Sequence, residues 1–358
     1  MKIIYIVPNV NNEGGVARVL SIKANYLIEK FGYEIHIITQ NKGCSPLFYN
    51  FNDIITFHDI SLKGNPLSIL LSYKNQVQSL INKIKPTHII VADNGLKAFF
   101  IPFFVHNCTN LWLEIHSSLR LQENAKGNKI QRALIVNFKK YLAQKYQKVL
   151  FETTENHREW NSKNGIVIPN PLWFATLKKS NLQSKKVIAV ARHTHEKGLD
   201  RLLYIWADVI KTHPDWHLEI YGNADNGMDL QKIVTKLKLS DNCTFYNPSK
   251  TIETKYLSAS ILALTSRFEA FGMVLIEAME AGLPCIAFDC PVGPRTTIQN
   301  QSNGFLIENG NQKEYVLRLN DLIENFGLRT KMAANAILSV KKYNIDEVML
   351  QWHKLFIN

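Results

Sequence analysis

The chain has 358 residues, enough for two domains of ordinary size. Hydrophobic residues make up 46% of it and charged residues 20%, a balance that excludes a disordered chain, a collagen and a small disulfide-stapled domain. The net charge is +12, and residues 1–170 hold 20 Lys and Arg against 11 Asp and Glu. A basic half favours an anionic partner, which could be a nucleic acid, a membrane surface or a phosphorylated substrate.

The sequence predicts a cytoplasmic protein. The uncharged stretch 98–113 is broken by proline and polar residues and is too short to span a membrane. Pro8 interrupts the first apolar run before it could serve as the core of a signal peptide. The five cysteines form no C-x-x-C pair, which argues against a disulfide framework or a structural zinc site and favours a reducing compartment.

The first half begins with an apolar run at residues 2–7, which predicts a buried strand. Apolar residues at helical spacing follow over 16–30, and a second buried strand is predicted at 34–39. This order is a strand–helix–strand unit. Residues 87–92 and 110–115 are predicted to form further strands.

The second half repeats the alternation. Strands are predicted at 186–190, 217–221, 243–246, 261–265, 284–288 and 304–307, and helices at 199–211, 228–239 and within 272–282. Alternating strands and helices predict parallel sheets covered on both faces. The fold class is therefore α/β, with two doubly wound Rossmann-like domains facing a central cleft, and the change between them falls near residues 168–171.

Three motifs follow predicted strands. Gly14-Gly15 stands where the first strand turns into a helix, so backbone N–H groups there could approach a phosphate, although a plain turn accounts for the same residues. Arg192 and Lys197 lie in a loop after the strand 186–190 and could converge on a diphosphate, although a solvated charged loop is equally consistent. His193 and His195 lack a third metal ligand and are poor zinc candidates.

The third motif follows the strand 261–265 and is the most specific. Glu269 precedes Gly272 and Glu277 lies in the helix that follows. The first N–H groups of that helix suit an anionic leaving group, and two carboxylates can accept hydrogen bonds from hydroxyls beside it. The simpler interpretation is two surface glutamates, one of them near a helix N-terminus.

The E-x7-E pattern with Phe-Gly between the carboxylates resembles the retaining glycosyltransferases of family 4, which have the GT-B fold. The resemblance covers essentially the whole chain. It implies an acceptor-binding domain over 1–170, a donor-binding domain over 171–342, and a last helix at about 343–358 that crosses back to the first domain. It also implies that Arg192 and Lys197 hold the diphosphate of a nucleotide-sugar, that Glu269 contacts the donor sugar and that Glu277 binds the ribose.

The same resemblance implies roles for further residues. The backbone of Phe271, Gly272, Met273 and Val274 would meet the distal phosphate, which Gly14-Gly15 would approach from the first domain. His116 would lie beside the donor sugar. Gly222, Asn247 and Pro248 would follow strands near the nucleotide, although only one of the family's usual glycines is present after 217–221 and Ser117 stands where many relatives have Asp.

Two observations concern the donor. Cys290-Pro-Val-Gly-Pro294 resembles a variant in enzymes that use UDP-N-acetylhexosamines or UDP-galactose, and it is otherwise a rigid turn. No Asp-x-Asp motif occurs in the chain, so we expect Arg, Lys and helix ends to neutralise the diphosphate without a metal or other cofactor.

Residues 124–151 contain seven Lys and Arg, no acidic residue and many interleaved apolar residues. A basic amphipathic helix of this kind is typical of a contact with an anionic membrane surface, here peripheral and on the inner face of the cytoplasmic membrane. A solvated helix packed on the first sheet is a compatible interpretation.

The sequence as a whole predicts a retaining, metal-independent glycosyltransferase. It would move a hexose or N-acetylhexosamine from a UDP-sugar to a glycan or lipid-linked acceptor in polysaccharide or lipopolysaccharide synthesis. A UDP-sugar epimerase of related fold is one alternative. A basic nucleic-acid-binding protein is another, but no nucleic-acid-binding motif supports it. A dehydrogenase is disfavoured because no dinucleotide fingerprint follows a strand.

Overall fold

The computed structural model describes residues 1–40, 46–105, 110–119, 128–224 and 229–358. Its contacts divide the chain into two compact units. The first comprises Met1–Pro171 and Ile345–Asn358, and the second comprises Leu172–Asn344.

The first unit is built on a parallel sheet. Its described strands are β1 (Lys2–Ile6), β2 (Glu34–Thr39), β3 (Thr56–Asp59), β4 (His88–Val91), β5 (Leu111–Ile115), β6 (Lys148–Phe151) and β7 (Gly165–Val167). They pair in the order β3-β2-β1-β4-β5-β6-β7. Its described helices before residue 172 are α1 (Gly15–Phe31), α2 (Pro66–Ile84), α3 (Lys129–Ala143) and α4 (Thr154–Trp160), with a 3-10 helix at Leu96–Phe103.

Alternation along β1 explains the two cores of the first unit. Ile3 and Tyr5 point into one core, which α1 covers, and Ile4 and Ile6 point into the other, which α2 and the 3-10 helix cover. All four side chains are at most 1% exposed. A strand buried on both faces needs a continuous apolar run, and this is why the run at residues 2–7 predicted it.

The second unit has the same architecture. Its described strands are β8 (Lys186–Val190), β9 (His217–Tyr221), β10 (Cys243–Tyr246), β11 (Ile261–Leu264), β12 (Cys285–Asp289) and β13 (Gly304–Glu308), paired in the order β10-β9-β8-β11-β12-β13. Its described helices are α5 (Leu199–Val209), α6 (Leu230–Lys236), α7 (Ile252–Leu257), α8 (Met273–Glu280), α9 (Pro294–Thr297), α10 (Gln312–Glu324) and α11 (Phe326–Val340), with 3-10 turns at His195–Lys197 and Lys341–Tyr343. All pairings are parallel.

The last helix, α12 (Ile345–Ile357), belongs to the first unit. Trp352 and Phe356 are buried in the core that β1 shares with α1. The hydroxyl of Tyr26 on α1 donates to Asp346 at 2.5 Å, and the ring of Trp352 lies 3.9 Å from the ammonium of Lys23. The fold prediction, including a terminal helix that returns to the first unit, is confirmed.

The sequence missed several elements of the first unit. The edge strand β3 and the three-residue strand β7 carry no long apolar run, and neither α2 nor the 3-10 helix was predicted. Within the described residues, no helix is long and apolar enough to cross a membrane.

Candidate active site

The strand order of the second unit places two loops on either side of one crevice. The chain runs from β8 outward to β9 and β10, and it then returns to β11 on the other side of β8. The strands β8 and β11 are therefore neighbours, and the connections that follow them lead to opposite edges of the sheet. Doubly wound folds bind ligands in the crevice between two such loops. The β8 loop carries Arg192 and Lys197, and the β11 loop carries Glu269.

The structure brings Lys197 and Glu269 together at this point. The ammonium of Lys197 donates to Oε1 of Glu269 at 2.7 Å, and the hydroxyl of Ser266 donates to the same oxygen at 2.7 Å. The side chain of Glu269 is 9% exposed and that of Lys197 is 23% exposed. A cation and a carboxylate are thus held side by side in a mostly dry place, where charge acts more strongly than in bulk water.

The backbone of Glu269 is fixed by the segment that follows β12. Its N–H donates to the carbonyl of Pro291 at 2.9 Å, and its carbonyl accepts from Val292 and Gly293 at 2.7 and 3.0 Å. A Cβ on Gly293 would lie 2.6 Å from the carbonyl oxygen of Phe271, so this approach requires glycine. The Cys-Pro-Val-Gly-Pro segment therefore positions the Glu269 loop, a role that the sequence did not reveal.

The β8 and β11 loops are also tied directly to each other. The guanidinium of Arg267 forms two hydrogen bonds with the carboxylate of Asp200, at 2.8 and 2.7 Å, and donates to the carbonyl of His195 at 2.7 Å. A bidentate pair of this kind fixes orientation as well as distance. Arg192 is not part of this cluster; its side chain is 48% exposed and lies 3.2 Å from Glu196.

Glu277 lies inside α8 and is 2% exposed. Its carboxylate accepts from the indole of Trp173 at 2.8 Å and from the hydroxyl of Tyr256 at 2.9 Å. With Glu269 9% exposed as well, the interpretation of these residues as two surface glutamates is wrong. Phe271, Gly272, Met273 and Val274 form the start of α8, where the first backbone N–H groups of a helix have no partner within it.

The other predicted residues of the second unit lie after β9 and β10. Gly222 follows β9, and a Cβ there would lie 1.9 Å from the carbonyl oxygen of Ala191. This packing alone requires a glycine, whatever the residue does for a ligand. Asn247, which is exposed, and Pro248, which is half-buried, follow β10, two strands away from β8.

Gly14 and Gly15 lie in the first unit, where the loop after β1 leads into α1, and Gly15 is the first residue of that helix. Gly14 precedes the first residue of α1, and its N–H donates to the side chain of Asn12 at 2.8 Å. Gly15 is exposed, and a Cβ there would meet no atom within 4 Å. β1 and β4 are neighbours in the sheet. The chain continues from β1 toward one edge and from β4 toward the other, so the turn after β1 also lies at a topological switch point.

His116 follows β5 in the first unit, and its side chain is 5% exposed. Nδ1 lies 2.7 Å from Oε1 of Glu152, and Nε2 lies 3.4 Å from Oε1 of Glu114. Burial by itself would lower the pKa of His116, but the two carboxylates outweigh it and raise the pKa to about 9. Burial likewise opposes ionisation of Glu114, yet Lys23 and His116 lower its pKa to about 2.

Among the described residues, no group of three or more His, Cys, Asp or Glu side chains is placed to hold a metal ion. His193 is buried, and its ring packs 5.2 Å from that of Phe245.

Comparison with known proteins finds glycosyltransferases. Residues 176–339 match the sequence profile described as glycosyl transferases group 1. Over these residues the chain is similar to that family. The whole chain is 29% identical to an uncharacterized glycosyltransferase of Haemophilus influenzae over 98% of both chains. It is 25% identical to the amylovoran biosynthesis glycosyltransferase AmsD of Erwinia amylovora over 99% of both.

A solved structure shares the fold of this chain. HepE from Anabaena, in complex with UDP-glucose, superposes with a TM-score of 0.79 at 18% identity, over 100% of this chain and 99% of that one. At this identity the likeness shows the fold alone, which is the GT-B architecture that the sequence predicted.

Proposed function

We propose that this glycosyltransferase transfers a hexose or N-acetylhexosamine from a UDP-sugar to a glycan or lipid-linked acceptor, with retention of configuration and without a metal ion. The observation that carries the proposal is the Lys197–Glu269 pair at the switch point of the second unit, with the start of α8 in the same loop. A cation, a carboxylate and a helix N-terminus are the groups that a diphosphate and its attached sugar need.

The chemistry assigned to each residue follows from its charge. The bond between the anomeric carbon and the diphosphate breaks heterolytically, so negative charge develops on the leaving phosphate. Lys197, Arg192 and the N–H groups at the start of α8 would stabilise that charge. Glu269, released from Lys197 when a diphosphate takes its place, would accept hydrogen bonds from the sugar hydroxyls.

Glu277 is assigned to the ribose. An ionised carboxylate offers about four acceptor positions. Trp173 and Tyr256 donate to this carboxylate in the structure, and a ribose would present its two vicinal hydroxyls to it as further donors. The two donors also fix the orientation of the carboxylate in advance, which reduces the entropy that binding costs.

Retention is assigned to front-face departure, in which the leaving phosphate takes the proton of the acceptor hydroxyl as the new bond forms on the same face. Glu269 is assigned to the sugar hydroxyls, and its Oε1 also accepts from Ser266, so we do not assign it as a covalent nucleophile. UDP is assigned from the Cys-Pro-Val-Gly-Pro segment and from the UDP-glucose bound to HepE.

The acceptor is assigned to a surface polysaccharide or lipopolysaccharide pathway. The name of the relative AmsD places that enzyme in the biosynthesis of a bacterial polymer, amylovoran. An acceptor carried on a lipid would bring the enzyme to a membrane surface, and the first unit carries a surface suited to this.

That surface is formed by α3 and the 3-10 helix. Large apolar side chains are exposed along it: Leu96 47%, Phe103 51%, Ile130 73%, Leu134 64%, Ile135 50%, Phe138 43% and Tyr141 56%. The ring of Phe100 lies 6.1 Å from that of Phe138 and 6.2 Å from that of Phe103, so the two helices share one apolar face. The sequence that contains α3, residues 124–151, has basic residues and no acidic residue. Residues 124–127 of this stretch lie outside the described residues. We assign this face to an anionic lipid surface.

Calorimetric titration tests the donor site without any acceptor. UDP, GDP and ADP are titrated into the protein with a chelator present. We expect UDP to bind, and binding to be lost in Lys197→Ala and Glu277→Ala. Lys211→Ala is the matched control, since that side chain is 72% exposed on the same unit. No nucleotide binding, or binding only with a divalent ion, would contradict the proposal. Release of an isomerised sugar without an acceptor would indicate the epimerase instead.

Sedimentation with lipid vesicles tests the apolar face. The protein should bind vesicles that contain phosphatidylglycerol more strongly than vesicles of phosphatidylcholine alone. Leu134→Glu should abolish binding without loss of stability, because the side chain is largely exposed. Leu317→Glu on α10 is the control, with 51% exposure in the other unit. Equal binding of Leu134→Glu and the unaltered protein would refute the assignment.

A further inference from the structure

A chain of alternating charges crosses the first unit from α1 to the end of β6. Lys23 on α1 is paired with Glu114 on β5, Glu114 faces His116, and His116 is bonded to Glu152. Each of the four side chains is at most 6% exposed. Buried charges persist only when they are paired, and here two cations are matched by two carboxylates.

The carboxylates on its two sides fix the protonation state of the His116 ring. A neutral imidazole has one N–H donor and one acceptor nitrogen. Both nitrogens of His116 face carboxylate oxygens, which only accept, at 2.7 and 3.4 Å. A ring with a proton on each nitrogen donates to Glu152 and directs its second N–H and its positive charge at Glu114. Asn170 donates to the same oxygen of Glu152 at 2.7 Å and holds that carboxylate in place.

At the other end of the chain of charges, aromatic rings pack against Lys23. The ammonium of Lys23 lies 3.9 Å from the ring centre of Trp352 on α12 and 5.7 Å from that of Tyr5 on β1. These rings keep water from the Lys23–Glu114 pair, and the ammonium of Lys23 offsets the effect of burial and helps to keep Glu114 ionised. Among the described residues, Glu114 on β5 and Glu152 after β6 act directly on His116, and Lys23 on α1 and Tyr5 on β1 interact with Glu114.

We infer that Glu114 and Glu152 are positioning residues that hold His116 as a cation with a carboxylate beside each ring nitrogen. His116 would then act on a bound sugar-phosphate through its positive charge and not as a proton acceptor or donor. The charge state rests on the contacts above, and only its role toward a ligand rests on the proposed function. The same arrangement predicts that activity does not vary through the titration range of an ordinary histidine.

The test combines nuclear magnetic resonance with kinetics. In the unaltered protein, the ring signals of His116 should stay those of the doubly protonated form from pH 6 to pH 8. In Glu152→Gln they should titrate with a midpoint near the ordinary value of about 6.5–7. The ratio kcat/KM should then fall about tenfold between pH 6 and pH 8 in this variant, because only the charged ring supports the reaction, and should stay flat in the unaltered enzyme. Glu152→Asp should restore much of the flat profile.

Glu155→Gln is the matched control. Its carboxylate, on α4, is 28% exposed and is paired with Arg158 at 3.8 Å, and it should leave both readouts unchanged. Titration of His116 near pH 6.5 in the unaltered protein would overturn the inference, even if the enzyme transfers sugar. A doubly protonated ring in a protein without transferase activity would overturn the proposed function and leave the charge state standing. A flat kcat/KM in Glu152→Gln, with the ring titrating, would overturn the role of the charge.

Discussion

Replacing Gly15 by alanine distinguishes the two interpretations of the Gly14-Gly15 turn, a phosphate-binding turn and a plain turn. A Cβ at this position meets nothing within 4 Å, and the residue opens α1 without a positive φ. Alanine therefore fits without strain and reduces the freedom of the unfolded chain, which stabilises a protein by about 0.4–1 kcal/mol. For a unit of this size we expect the melting temperature to rise by about 1–3 °C.

Activity should change in the opposite direction. If a phosphate approaches the backbone at Gly15, the added methyl occupies the space that the phosphate needs, with a cost of about 1–3 kcal/mol, as for overpacking elsewhere. The ratio kcat/KM should then fall by about 5- to 150-fold. Differential scanning calorimetry and initial-rate kinetics with the UDP-sugar give the two readouts.

Gly327→Ala is the control for this comparison. Gly327 also lies in the first turn of a helix, α11, and a Cβ there meets only the side chain of Asn325 at 3.4 Å. It should give a similar gain in stability with no change in kinetics. If Gly15→Ala keeps both its kcat/KM and its affinity for UDP, the turn does not approach the ligand and the simpler interpretation is correct.

Three further outcomes follow from the site and the cores. Lys197→Ala and Arg192→Ala should each lower kcat/KM by a factor of about 100 or more, or about 3 kcal/mol, in steady-state kinetics, and an unchanged rate would contradict the diphosphate assignment. Arg329→Met should lower the free energy of unfolding by about 2–4 kcal/mol in urea titrations, since the buried guanidinium donates to the carbonyls of Leu322, Ile323 and Leu182 at 2.7, 2.8 and 3.1 Å. Because the folded pKa of His116 is raised to about 9, its contribution to stability should be complete below pH 6.5 and decline as the pH rises through 9; His116→Asn should reduce that decline.

The fold was predictable because its central strands are buried on both faces. The runs at β1 and β8 are continuously apolar, and the glycines and charged residues that follow them indicate strand exits. Edge elements were not predictable in this way. β3, with the sequence Thr-Phe-His-Asp, is a strand because β2 supplies its hydrogen-bonding partner, and its own pattern does not specify one.

The site was predictable to the extent that its residues follow strands in sequence. Lys197 and Glu269 stand after β8 and β11, so the topology alone brings their loops together. The partners of Glu277 could not be found in this way, because Trp173 is 104 residues from it and Tyr256 is 21 residues from it. Glu152 was missed for the same reason, since its contact with His116 exists only after β5 and β6 have paired.

The return of α12 to the first unit has a consequence for synthesis on the ribosome. Val348, Met349, Trp352 and Phe356 complete a core whose other members precede Pro171, yet the ribosome must first make all of residues 172–344. At typical elongation rates of about 5–20 residues per second, that interval lasts about 10–35 s. Throughout it, the surface around Lys23 and Trp112 that α12 later covers stays open to water. We therefore expect chaperones to bind the nascent first unit during this interval. The second unit is continuous in sequence and can complete its folding before the first.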